Sequence, residues 1–598
     1  MFKLKPSNKK RIVVSLAVCL LSGSLGGGAG ASAVAIPESV APPKPSWGYF
    51  VDHYKNNDKD HLSAVFNPAI GVLSEYHKLW TPGDSWDTGS KLNNALLDAN
   101  IQKVVEITAN RTVEEAEAAY YDDRRKQSYS VIEGLGPLTD IYRVKAGART
   151  TIKSIPADAT RKKYDDEGTN SGIPESSLGS IVSLVDTLRG SYSSTNPAKS
   201  YYNYARPFRW NDHVAVLPTL VPAQNPDPSN DGGYPSGHTN AAYLTAYAMA
   251  YAIPERYQEL LTRASELGHN RIVAGMHSPF DVMGGRVMAT ALAAAILNDP
   301  ANSSLKKAAY EEAHNILLAH TGAAADRFSD YAANKQNFTK RLTYDFPQAG
   351  PTGKPAVVPK GAEVLLETRL PYLDDTQRRW VLATTALPSG YPVLDDEEGW
   401  GRLNLFAAAD GYGAFAGDVT ATMDSTQGGF HAEDRWRNDI SGIGRLIKKG
   451  TGTLKLEGSN MYSGGTRIDG GTLVGESETA FGLGDVSNQG GTLVVANASG
   501  KLTIGGSFKQ SEQGTLELRL DGPNDGLRIK GSASYAGKLR VNFAKGYVPK
   551  GVITIITDGS PDKNGEFATV ETAGLPSGYK VQTIYNGYSV QLKVHAGK

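Results

Sequence analysis

Three short stretches gather the side chains that could do chemistry. They are Lys199-Ser-Tyr-Tyr-Asn-Tyr-Ala-Arg206-Pro207, Pro235-Ser236-Gly237-His238, and Arg271-Ile-Val-Ala-Gly-Met-His277-Ser-Pro-Phe-Asp281. Between residues 199 and 281 they supply three cations, two imidazoles, a carboxylate and a glycine turn. Cleaving a phosphate ester requires neutralised charge on the phosphoryl oxygens, an in-line nucleophile and a proton for the leaving group. This set of side chains can provide all three without a metal ion.

The spacing within each stretch gives a local geometry. Lys199 and Arg206 lie seven positions apart. That is close to two helical turns, so the expectation is one helix face carrying both, with Pro207 ending or redirecting the helix. Taken alone, such a pair is usually a solvated helix face. Ser236 and Gly237 lead into a strong helical pattern, a turn that would aim free backbone N–H groups and the serine hydroxyl at an anion. His238 would stand at the mouth, able to protonate a departing oxygen; taken alone, it would be a cap or core residue. In the third stretch Ser278 suits a helix N-cap and Pro279 the first helical position. His277 then falls just outside the helix and Asp281 in its first turn. A carboxylate there can accept from one ring nitrogen, fixing the tautomer and leaving a lone pair on the other. Arg271 would return to the same pocket from the end of the preceding helix. The plainer alternative is a helix-start charge beside a buried histidine.

The elements around these residues divide the chain. Its 598 residues imply two to four domains, and a formal net charge of zero gives no general attraction to nucleic acid or anionic membrane. Residues 1–33 read as a signal peptide, with a basic start (Lys3 to Arg11), an apolar run too short to span a bilayer, and a cut near Ala33 or Ala35. The alternatives are a membrane anchor and a lipoprotein site at Cys19, for which Val18 is too bulky. Cys19 is the sole cysteine, so the mature chain would have no disulfide, thiolate metal site or cysteine nucleophile. A linker spans 34–48. From about 50 to 345 apolar residues recur at three and four, the pattern of helices, including Val113–Ala119, Ser180–Leu188 and Asn240–Tyr251. The Ala-rich stretch Val282–Leu297 reads as a buried core helix, Asp374 as a helix cap, and Gly399 onward as the last segment on a helical domain covering 49–415.

After about Gly417 the period changes to two. Gly-Thr-Leu recurs at Gly452, Gly471, Gly491 and Gly514, about twenty residues apart. Such a repeat predicts stacked short strands in a right-handed parallel β-helix over 416–598, with a β-sandwich as the alternative. The tail contains no catalytic cluster, and His431 and Asp434 read as surface residues.

The three stretches, in order and spacing, resemble the signature of the PAP2 (phosphatidic-acid-phosphatase type 2) superfamily: Lys-x6-Arg-Pro, Pro-Ser-Gly-His and Ser-Arg-x5-His-x3-Asp. The one departure is Asn270, where that family usually has serine. The flanking residues of the first two motifs resemble the soluble, exported bacterial class A acid phosphatases, over about 195–290. That resemblance implies an all-α bundle and a phosphomonoesterase with a phosphohistidine intermediate. His277 would be the nucleophile, Asp281 its orienting carboxylate, and His238 the general acid and then base. Lys199, Arg206, Arg271, Ser236 and Gly237 would hold the phosphoryl oxygens. No metal or other cofactor is implied. The substrate would be a small phosphate monoester, with no nucleic-acid partner.

The tail from Gly450 is similar to the autotransporter-associated β-strand repeat, and Gly514–Val594 resembles the end of an autotransporter passenger. No run of membrane strands follows, so the expectation is a passenger-like module without its own pore, exported to the periplasm, the cell surface or the medium. Its β-helix is a candidate for surface attachment or self-association. Residues 50–415 lack several stretches of spanning length, which argues against an integral-membrane lipid phosphatase. Two other readings stay open: a vanadium-dependent haloperoxidase, which resembles the same superfamily, and a non-enzymatic adhesin or scaffold.

Overall fold

The computed structural model describes residues 40–496, 500–560 and 564–596. The expected signal peptide and the first part of the linker lie outside them. Helices occupy most of 50–408, and strands dominate from Ala414 onward.

Three helices form the centre of the first part: Gly237–Ala252, Tyr257–Val273 and Pro279–Asn298. The last begins as its sequence implies. Ser278 is the N-cap, Pro279 takes the first position, and Ser278 and Asp281 cap each other reciprocally. Every residue from Pro279 to Leu297 is buried. Among the described residues it is the one helix long and apolar enough to cross a bilayer, and here its whole surface is covered by protein. The helices at Val113–Arg124 and Gly179–Leu188 pack against this centre. Asp374 caps the helix Asp375–Thr385, as expected.

The first stretch departs from its expected geometry. Lys199 lies on the helix Asn196–Tyr202, which ends at Asn203 in a left-handed conformation (φ 43°). Arg206 follows in extended backbone, and Pro207 opens a separate short helix, Pro207–Trp210. The two cations therefore do not share a helix face. Proline disfavours the helical region for the residue before it, so Arg206 is held extended.

The second part is a parallel β-solenoid of about six turns over 414–543. The Gly-Thr-Leu repeats form one sheet: Thr453–Leu456, Thr472–Gly475, Thr492–Val495, Thr515–Leu520 and Lys538–Phe543 pair in parallel. Leu454, Leu473, Leu493, Leu516 and Leu539 stack in register inside it. This parallel pairing excludes the sandwich alternative. Glycine is required at the corners; at Gly450 (φ +79°) a side chain would come within 2.1 Å of the Met423 carbonyl oxygen. The last strands depart from the repeat, since Ser589–Ala596 pairs antiparallel with both Gly551–Thr557 and Tyr579–Asn586.

Asp434 is not a surface residue. It sits opposite Leu454, at the inward stacking position of the first coil. There its carboxylate accepts from Arg369 at 2.8 Å and from the Tyr372 hydroxyl at 2.6 Å, both from the helical part. The Trp436 indole donates to Tyr372 Oη at 2.8 Å, and Asn438 donates to the carbonyls of Ala407 and Gly411. A single apolar core runs through this seam from the helices into the coils. His431 is half-buried.

Candidate active site

The first motif reaches the site from the end of one short helix and the loop after it. The second begins the Gly237–Ala252 helix, and the third joins the Tyr257–Val273 and Pro279–Asn298 helices. His277 is 1% exposed and Asp281 fully buried. Nδ1 of His277 lies 3.2 Å from Asp281 Oδ2, and Nε2 lies 3.0 Å from Nη1 of Arg206. A guanidinium can only donate, so Nε2 carries a lone pair and Nδ1 donates its hydrogen to the carboxylate. Burial, then the charges of Arg206, Lys199, Arg271 and His238, hold His277 well below the usual histidine range. It is therefore a neutral imidazole with Nε2 turned toward the cations, its lone pair covered by Arg206.

Asp281 also accepts from the Ser278 backbone N–H at 2.8 Å, while its Oδ1 is buried without a partner. Burial pushes its carboxyl above the ordinary aspartate range. Lys199 donates to the carbonyl of Gly232. Burial, followed by the charge of Arg206, holds its ammonium well below the usual lysine range. Arg206 donates to the Met276 carbonyl at 3.0 Å and is paired through Nε with Asp231, which also takes Arg209 at 3.0 Å. Arg271, 2% exposed, is paired with Asp123, and burial brings it down to about 9.

Ser236 is fully buried and serves as the cap of its helix, accepting from Thr239 N and from Thr239 Oγ1 at 2.9 Å. Its own backbone N–H donates to the Asp281 carbonyl at 2.8 Å, tying the second motif to the third. Of its hydroxyl, only the hydrogen is left for an anion. Gly237 and His238 occupy the first two helical positions, where backbone N–H groups have no intrahelical acceptor. A side chain at Gly237 would press on Thr195 Oγ1 at 3.1 Å. Nε2 of His238 lies 3.3 Å from the Asp123 carbonyl oxygen. Burial, then Arg124, Arg206, Lys199 and Arg189, press its pKa down to about 3.

These contacts bring the three segments that carry the eight residues singled out from the sequence together around His277. The sequence reading missed the acids behind them. Asp231 braces Arg206, Asp123 braces Arg271, and Asp122 takes Arg263 and Asn270. Asn270, the one departure from the motif, donates to Asp122 at 2.7 Å, so the side chain keeps a hydrogen-bonding role. A tandem aspartate at a helix end looks like surface charge, and nothing local marks partners more than a hundred residues away.

Comparisons with known proteins agree with the two-part division. The PAP2 superfamily model matches residues 180–304, and the passenger-associated-transport-repeat model matches 446–474. The non-specific acid phosphatase of Salmonella typhi is 37% identical over 131 residues, covering 21% of this chain and 51% of that protein. Neisserial autotransporter lipoprotein NalP of Neisseria meningitidis serogroup B is 35% identical over 213 residues, 32% of this chain and 19% of NalP. An extracellular serine protease of Serratia marcescens is 26% identical over 277 residues, 38% of this chain and 26% of the protease. The chain thus spans about half the length of the phosphatase and a fifth of NalP. The helical part of this chain carries a PAP2 superfamily domain, and its solenoid carries a passenger-associated transport repeat.

Proposed function

We propose that the protein is an exported phosphomonoesterase that works through a phosphohistidine and needs no metal. The observation that carries this is His277, held between Asp281 and Arg206 in a cup that also contains Lys199, Arg271 and His238. The phosphoryl oxygens displace the contacts of Arg206 and Lys199 with the protein and take their place. Nε2 of His277 attacks phosphorus in line, the P–O bond to the leaving group breaks, and His238 gives that oxygen a proton. Asp281 stabilises the imidazolium as it forms. His238 then takes a proton from water, whose oxygen attacks phosphorus. The P–N bond breaks, returning His277 and releasing phosphate. Similarity to a protein named as an acid phosphatase supports the reaction class, and similarity to autotransporter and extracellular proteins supports export.

The test is hydrolysis of p-nitrophenyl phosphate by the purified protein. Activity should survive exhaustive chelation and be blocked competitively by orthovanadate, which fills the same cup. Loss of activity on chelation would remove the metal-free mechanism. Halide oxidation by vanadate-loaded protein without ester hydrolysis would point to a haloperoxidase instead.

A pH dependence follows from the two perturbed groups. Asp281 has to be ionised to steer His277, and burial raises the pH at which that happens. Lys199 has to be protonated to hold the phosphoryl group, and burial lowers the pH at which that charge is lost. The kcat/KM profile is therefore expected to be a bell, its acid limb above the usual aspartate range and its alkaline limb far below the usual lysine range. In Lys199→Arg the alkaline limb should move upward. A wild-type profile flat from pH 5 to 9 would contradict the assignment.

A further inference from the structure

Asp122 and Asp123 lie in the last turn of the helix Val113–Arg124, outside all three motifs. Asp122 is committed to scaffolding. It grips the guanidinium of Arg263 with both oxygens and accepts from Asn270. Asp123 is placed differently. Its carboxylate is paired with Nη1 of Arg271 and accepts from Nε of Arg124 at 2.6 Å. Its backbone carbonyl lies 3.3 Å from Nε2 of His238. The Asp123 and Arg271 side chains are 1% and 2% exposed. One residue therefore touches both the innermost cation of the cup and the second imidazole.

We infer that Asp123 is the positioning residue for Arg271 and His238. The inference rests on the phosphatase reading and deepens it. A guanidinium buried this completely needs a carboxylate to hold it, and the direction of that pairing decides where its other donors point. Nε of Arg271 is buried without a hydrogen-bond partner, so it is a donor left over for an anion. On His238 a carbonyl can only accept, so Nε2 carries a hydrogen and is occupied. Nδ1 is then the nitrogen that gives the proton to the leaving group and takes one from water. The carboxylate of Asp123 aims the anion-binding arginine, and its carbonyl orients the acid.

Asp123→Asn removes the charge and leaves both the shape and the carbonyl. The kcat/KM for p-nitrophenyl phosphate should fall about 100-fold, and orthovanadate should bind about 100-fold more weakly. Asp123→Glu, which restores the charge at a displaced position, should recover about tenfold of each loss and remain about tenfold below wild type in vanadate affinity. Adding Asp123→Asn to Arg271→Gln should weaken vanadate binding by no more than about threefold further, because the carboxylate reaches the anion through Arg271. A merely structural role would lower the melting temperature and leave vanadate affinity of the folded protein unmoved. The inference is overturned if folded Asp123→Asn binds vanadate within about threefold of wild type, or if the two losses multiply. Should Asp123→Asn fail to fold, wild-type vanadate affinity in Asp123→Glu overturns it equally. A wild-type protein that neither hydrolyses the ester nor binds vanadate sinks the phosphatase reading itself; an active wild type with an indifferent Asp123 sinks only this inference.

Discussion

His277→Ala should abolish turnover. The expected fall in kcat for p-nitrophenyl phosphate is about 10⁴-fold or more, because the variant has lost the atom that bonds to phosphorus rather than a group that assists it. Lys199, Arg206 and Arg271 remain, so the variant should still bind phosphate and vanadate, separating loss of chemistry from loss of binding. The imidazole is buried against Asp281, and its removal leaves a cavity of its own shape. Free imidazole added to the variant should therefore restore part of the activity. Turnover within tenfold of wild type would mean that another group attacks phosphorus, and the phosphohistidine would have to be abandoned.

His238→Ala should produce a loss that depends on the substrate. A nitrophenolate leaves as a stable anion and gains little from protonation, whereas an alkoxide gains a great deal. The expected fall is about tenfold for p-nitrophenyl phosphate and about 10³-fold for an alkyl phosphate. Burial, and after it four neighbouring cations, hold the ring neutral, with its pKa pushed down to about 3. A proton must therefore arrive with the substrate. A phosphate monoester bound as its monoanion brings one, and the negative charge it places among the cations makes His238 a better base. Equal losses for both substrates would deprive His238 of its role as the acid.

The local parts of the site were legible because helix geometry ties residues three and four apart. Ser278, Pro279 and Asp281 announce a helix start, and the structure builds it. The seven-residue spacing of Lys199 and Arg206 was a weaker guide. It implies a shared face only if the backbone between them stays helical, and Asn203 ends the helix. The two clues that could have warned of this were an asparagine suited to the left-handed region and a proline that keeps Arg206 extended. The acids behind the cup had no local signature. Arg263 and Asn270 lie 141 and 148 residues from Asp122, a separation that only the fold resolves. In the tail the twenty-residue period revealed the coils. The same period, carried back one step from Leu454, reaches Asp434, so its inward placement was available from the register even though its polarity suggested the surface.

The placement of Asp434 makes the first coil a structural organ of the helical part. Amputation at residue 417 would strip Arg369 of its counter-charge and uncover the aromatic rings that Trp436 now seals. A trimmed protein made for assay should therefore retain the first coil, because the helical part is closed by residues that lie beyond the change in composition.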